Sequence, residues 1–147
     1  MSTTPTFDPA LVGQTESAFG AILDRELAGT GLNGPRWVAL NLALAGGQGV
    51  DRVQLIRRLA AARNVDEPEA RECVNDLAVA GLLHIPDEES APVTVTDAGR
   101  QLHGQVNTAV AGVTQRLWGD LAAEDLATAG FVLNTVLARA RRELGQN

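Results

Sequence analysis

Residues 51–96, DRVQLIRRLAAARNVDEPEARECVNDLAVAGLLHIPDEESAPVTVT, decide how the rest of the chain is read. Asp51 stands three residues before Gln54, and Asp66 three before Glu69. At that spacing a side-chain oxygen satisfies the free amides of an opening helical turn, so each pair marks a helix start. Leu55, Ile56 and Leu59 then share one helical face, as do Ala70, Cys73, Val74 and Leu77, and Pro68 sits near a start where its missing amide costs little. Gly81 ends the second helix. Residues 82–85 and 92–95 are short β-capable runs around the polar tip Asp87-Glu88-Glu89-Ser90, a hairpin too small to stand alone.

Two helices joined by a brief turn and followed by a β-wing form the winged helix-turn-helix pattern, which offers one helix to the major groove of DNA. The run Glu67-Pro68-Glu69-Ala70-Arg71-Glu72-Cys73-Val74-Asn75-Asp76-Leu77, then Ala80-Gly81-Leu82-Leu83, then Val93-Thr94-Val95-Thr96-Asp97-Ala98-Gly99-Arg100 at the head of a long helix, resembles the MarR family of bacterial transcription regulators. The resemblance spans residues 11–144. It implies a mainly α fold with a small β-wing, a homodimer built from N- and C-terminal helices, and binding of double-stranded DNA at a palindromic operator. It also implies a small aromatic or amphipathic effector in a cleft between helical and winged parts, and no cofactor. On this reading residues 1–34 form an N-terminal dimerisation helix, 35–96 the DNA-binding region and 97–147 the C-terminal dimerisation helices.

The same residues depart from the family. Its members usually carry Arg, Ser or Thr where this chain has Glu67, Glu69, Glu72 and Asp76, and they carry Asp with Arg in the wing. Here Asp66, Glu67, Glu69, Glu72 and Asp76 face Arg71 alone, and the wing tip has Asp87, Glu88 and Glu89 without a base. Phosphate neutralisation supplies much of protein–DNA affinity, so a surface of this sign opposes the duplex. Arg71 and Asn75, four apart on one helical face, suit guanine and adenine edges respectively. Glu67, Glu69 and Glu72 suit either cytosine amino groups or the positive end of the helix macrodipole, and the second reading is favoured. Arg36, Arg52, Arg57, Arg58 and Arg63 are the candidate phosphate contacts, each weighed against plain solvated surface.

Two functions follow. In one the chain is a DNA-binding regulator. In the other it is a winged-helix dimer that has lost duplex binding and serves as a protein-interaction or ligand-sensing module, its acidic helix docking a basic partner.

A chain of 147 residues with 45% hydrophobic content suits one domain or one subunit of an intertwined dimer. The formal charge of -6 opposes non-specific nucleic-acid or anionic-membrane binding while leaving local basic patches open. Every base is arginine. The lone cysteine precludes an intrachain disulfide framework, and the absence of a leader or long apolar run predicts a soluble cytoplasmic protein without a membrane partner.

The first helix is expected from Asp8 as N-cap and Pro9 at the first position, with Leu11, Ala18, Ile22 and Leu27 at helical spacing. Pro35 opens a second helix, where Trp37, Leu40 and Leu44 share a face and Trp37 is core. Glycines 46, 47 and 49 with Gln48 read as an inter-helix loop, since no strand precedes them and a P-loop lysine is missing. A long helix should run over 97–121 and another to the C-terminus after a break at 120–123. Their apolar stripes, Leu102 to Leu121 and Leu126 to Ala140, exceed what a small winged domain can cover.

Cys73 falls on the buried stripe of the second short helix and reads as a core hydrophobe ahead of a redox switch. His84 and His103 lack partners at metal-ligand spacing. Arg100 is expected to pair with a local acid. No nucleophile elbow or dinucleotide fingerprint occurs, and Glu124-Asp125 serve a helix start, so the chain reads as no enzyme.

Overall fold

The computed structural model describes residues 4–88 and 90–146. Its elements run α1 (Pro9–Leu27), α2 (Gly34–Ala45), α3 (Arg52–Arg63), α4 (Glu67–Val79), β1 (Leu83–His84), β2 (Thr94–Val95), α5 (Asp97–Trp118) and α6 (Ala123–Glu143). Helix starts coincide with short polar side chains that accept an otherwise orphaned amide. Asp8 takes Leu11 N at 2.8 Å, Asn33 takes Arg36 N at 2.9 Å, Asp51 takes Gln54 N at 3.0 Å and Asp66 takes Glu69 N at 2.9 Å. Helix α6 follows Ala122, an N-cap that offers no side-chain bond, and Glu124 and Asp125 occupy its first turn instead.

The chain gathers into two compact units, residues 1–110 and 111–147. In the first, α3 and α4 are joined by three residues, and the turn is closed by Asn64 in the left-handed region (φ 54) with Val65 N bonded to Ala60 O at 3.0 Å. Leu55, Ile56 and Leu59 of α3 and Ala70, Cys73, Val74 and Leu77 of α4 face inward, and Trp37, Ala39, Leu40 and Ala43 of α2 complete the seat. Every residue expected on those two stripes is buried, and so is Trp37. In the second unit, the end of α5 and all of α6 leave large apolar side chains in solvent, Phe131 at 73%, Leu133 at 48% and Leu137 at 47% exposure, and α6 has no buried residue. Among the described residues no single helix is long and apolar enough to cross a membrane.

The wing is shorter than the sequence indicates. Residues 82–85 and 92–95 are the β-capable runs, but the ladder contains only Leu83 opposite Val95 and His84 opposite Thr94, with an isolated antiparallel bridge between Val50 and Val93. The ends are unavailable for pairing. Leu82 N is already bonded to Leu77 O at 2.9 Å as the closing bond of α4, while Pro86 and Pro92 have no amide to give. Helix α5 likewise ends at Trp118 rather than near 121, where Leu121 N turns back to Trp118 O at 3.1 Å.

The exit of α4 and the start of α5 are locked together. Gly81 adopts φ 79 to end α4, and its carbonyl accepts Thr96 Oγ1 at 2.6 Å. The same Oγ1 accepts Gly99 N at 3.0 Å as the cap of α5, and Thr96 N donates to Leu82 O at 3.1 Å. A methyl built on Gly99 would strike that Leu82 oxygen and lie 2.8 Å from Val95 Cγ1, so only glycine fits.

Gly99→Ala should therefore destabilise the protein by about 1–3 kcal/mol through overpacking against backbone, lowering the melting temperature by roughly 3–10 °C. Thr96→Val, which removes the cap and the bond to Gly81, should cost about 1–2 kcal/mol. Thermal melts followed by circular dichroism check both, and a Gly99→Ala protein melting within a degree of the parent would refute the interlock.

Candidate nucleic-acid interface

Because Ala70, Cys73, Val74 and Leu77 bury one side of α4, its other side is held in solvent. Glu67, Pro68, Glu69, Arg71, Glu72 and Asn75 are all exposed there, with Arg71 and Asn75 one turn apart. Val79, 89% exposed at the end of the same helix, joins them. Its position off the apolar stripe, two residues past Leu77, was a signal that went unused.

The charge balance of this face differs from the sequence reading. Five acids were set against Arg71 alone, yet two have partners from other helices. Asp76 Oδ2 lies 3.0 Å from Arg36 Nη2 of α2, and Glu67 Oε1 lies 3.7 Å from Arg57 Nε of α3. A third, Asp66, caps α4. The pairs are too exposed to add much stability, a few tenths of a kcal/mol to about 1 kcal/mol each. What they change is the size of the negative charge: among the described residues Glu69 and Glu72 are the acids of the helix outside any ion pair, set against Arg71. The 40-residue separation of Arg36 and Asp76 made their meeting invisible to local spacing.

The five candidate phosphate ligands divide into two sets. Arg57, Arg58 and Arg63 are exposed on α3. Arg36 and Arg52 are half-buried and engaged within the fold: Arg36 also donates Nη1 to Gly31 O at 3.1 Å, and Arg52 donates Nη2 to Pro86 O at 2.8 Å. In the wing tip Asp87, Glu88 and Ser90 are exposed, and Glu89 lies outside the described residues. The acid expected beside Arg100 is not found; Arg100 is exposed and in no ion pair among the described residues.

Between α2, α3 and α4 lies an open cleft of about 270 Å³ whose wall includes Arg36, Arg63, Glu72, Cys73 and Asp76. Burial pushes the Cys73 thiol above its ordinary value; Arg36 pulls it down, Asp76 pushes it up, and Arg63 and Glu69 act more weakly, so the rise survives. On α5, His103 stacks on Trp37 with ring centroids 5.0 Å apart and its Nε2 lies 2.7 Å from Asn41 Oδ1. Desolvation lowers its pKa, favouring neutral imidazole. Among the described residues no three His, Cys, Asp or Glu side chains gather to hold a metal ion.

No family sequence model and no curated protein sequence matches the chain. Solved structures do. MepR of S. aureus, in complex with DNA, superposes with a TM-score of 0.75 at 15% identity over 93% of this chain and 99% of its own. CouR from Rhodococcus jostii RHA1, bound to p-coumaroyl-CoA, gives 0.74 at 20% identity over 86% and 89%. The Mycobacterium tuberculosis MarR family protein Rv2887, in complex with DNA, gives 0.67 at 20% identity over 90% and 98%, and has also been solved with p-aminosalicylic acid. The chain has the winged-helix fold of the MarR-family transcriptional regulators.

The Cys73 environment carries a consequence for pH. The folded state holds the thiol proton more tightly than the unfolded chain, so the stabilising contribution of the neutral thiol is complete below its ordinary value of 9.0 and is lost as pH rises beyond it. Alkylation of the native protein by iodoacetamide at pH 7 should be at least about tenfold slower than that of a free thiol, and should accelerate with pH past 9. A native rate equal to that of the urea-unfolded chain would contradict the burial.

Proposed function

We propose that this protein, which has the fold of the MarR-family regulators, is a homodimeric DNA-binding transcriptional regulator acting in the cytoplasm on a palindromic operator. The observation that carries the proposal is the solvent-facing side of α4, with Arg71 and Asn75 on one face while Arg36 and Arg57 offset two of the helix acids. Within each protomer, residues 35–96 would dock the duplex. Arg71 would read guanine, Asn75 adenine, and Arg58, Arg63 and Arg57, the last shared with Glu67, would meet phosphates. The wing tip 87–90 would lie beside the backbone, where its acids limit affinity. The alternative, a winged helix that no longer binds duplex, loses ground because the helix is less acidic than its sequence implies.

The partner subunit is inferred from the exposed apolar side chains of residues 111–147, Phe131, Leu133, Val136 and Leu137 among them, and separately from Leu11 and Val12 on the N-terminal helix at 48% and 37% exposure. Patches of this kind on two copies would bury each other in a twofold interface, placing two winged regions on successive half-sites. An aromatic or amphipathic effector is in keeping with the p-coumaroyl-CoA bound to CouR and the p-aminosalicylic acid bound to Rv2887. Catalysis has no part in this reading.

Two measurements test it. Fluorescence anisotropy with duplexes from the protein's own upstream region should give binding with a log–log salt slope of about -5, from roughly three phosphate contacts on each of two protomers, and a loss of about a thousandfold between 50 and 200 mM salt. No retention at low salt by an intact dimer would sink the proposal. Replacing both Leu133 and Val136 by Glu should give a monomer in sedimentation velocity and abolish operator binding; a dimer that survives that double change places the interface elsewhere.

A further inference from the structure

The wing contains two paired residues per strand, and a hairpin that small has no stability of its own in water. Something outside it must fix its stem. Two contacts from the start of α3 and the residues leading into it do so. Val50 and Val93 exchange backbone hydrogen bonds at 2.9 and 2.8 Å, and two residues later the Arg52 guanidinium reaches across to Pro86 O at 2.8 Å. Pro86 lies between β1 and the exposed tip residues Asp87 and Glu88, at the point where the chain leaves the ladder.

The side chain is aimed from a fixed base. Val50 is held in the bridge and Asp51 caps α3, so the backbone on the N-terminal side of Arg52 is tied twice before the side chain begins. Among the described residues its buried Nε has no hydrogen-bond partner, and the anchoring is carried through Nη2. A charged donor on a backbone carbonyl is among the stronger hydrogen bonds available to a loop. A guanidinium committed in this way, half-buried, is poorly placed to act as the phosphate ligand that its sequence position invites.

We infer that Arg52 is a wing-positioning residue: it pins the stem at Pro86 and so sets where the tip meets the duplex, without touching phosphate itself. This rests on the DNA-binding reading for its purpose, whereas the anchoring is a property of the free protein.

The test uses the full-length protein with Arg52→Met, which keeps an apolar stem and removes the donors, and Arg58→Gln as the phosphate-ligand reference. In hydrogen exchange on free protein, Arg52→Met should speed the amides of residues 83–95 about tenfold while α2, α3 and α4 and the melting temperature stay as in the parent. Operator affinity should fall roughly five- to thirtyfold with an unchanged salt slope, whereas Arg58→Gln should lower the slope by about 2 for the dimer and leave wing exchange alone. Arg52→Lys, which retains a donor, should give intermediate exchange. The inference is overturned if Arg52→Met lowers the slope as Arg58→Gln does with wing exchange unchanged, since Arg52 is then a phosphate ligand. It is equally overturned if neither exchange nor affinity moves. Should parent protein bind no duplex while Arg52→Met still loosens residues 83–95, the regulator reading fails and the anchor stands as a structural device alone.

Discussion

A few backbone oxygens around the exit of α4 set the geometry of the surface shared by α4 and the wing. Gly81 O and Leu82 O both receive donors from Thr96, and Gly99 packs so closely on the second that no side chain fits between them. These contacts fix the end of α4, the start of α5 and the open base of the wing with one threonine and two glycines. Shift one and α4, the hairpin and the long helix lose their common reference. Hydrophobic burial of α4 would still drive collapse, but burial is non-directional and does not dictate where a strand of two residues points.

Electrostatics then decides what the scaffold can do. Net charge alone argues against nucleic acid, and a local count on α4 argues more strongly. Local count and spatial field are different quantities, because helices packed side by side exchange charge partners that sequence separates by tens of residues. Arg36 and Arg57 moderate the acids of α4 without being part of it, leaving Glu69 and Glu72 as the unopposed pair. Fewer free cations than the sequence offers are available for phosphate, since Arg36 and Arg52 serve the fold.

The architecture was legible because its signals are local. Caps at Asp8, Asp51 and Asp66, the apolar stripes of α3 and α4, and the glycine stop at residue 81 each depend on neighbours within a turn or two. Strand length was misjudged because β propensity over 82–85 and 92–95 competes with a helix-closing bond at Leu82 and with prolines at 86 and 92, both outside the alternation that defines a strand. The site was half legible: the outward residues of α4 were identified, but not their partners. The division of arginines into committed and free was hidden for the same reason, because nothing within a few residues of Arg52 announces a carbonyl 34 positions away.

The stacking of His103 on Trp37 has an optical side. The chain has two tryptophans, one 7% exposed within the helical seat beneath α4 and the other, Trp118, 38% exposed in the C-terminal unit. Blue-shifted, iodide-shielded emission is therefore expected from Trp37, and redder, iodide-accessible emission from Trp118. Protonating the stacked imidazole is expected to quench Trp37, so the winged region carries its own spectroscopic reporter without any label.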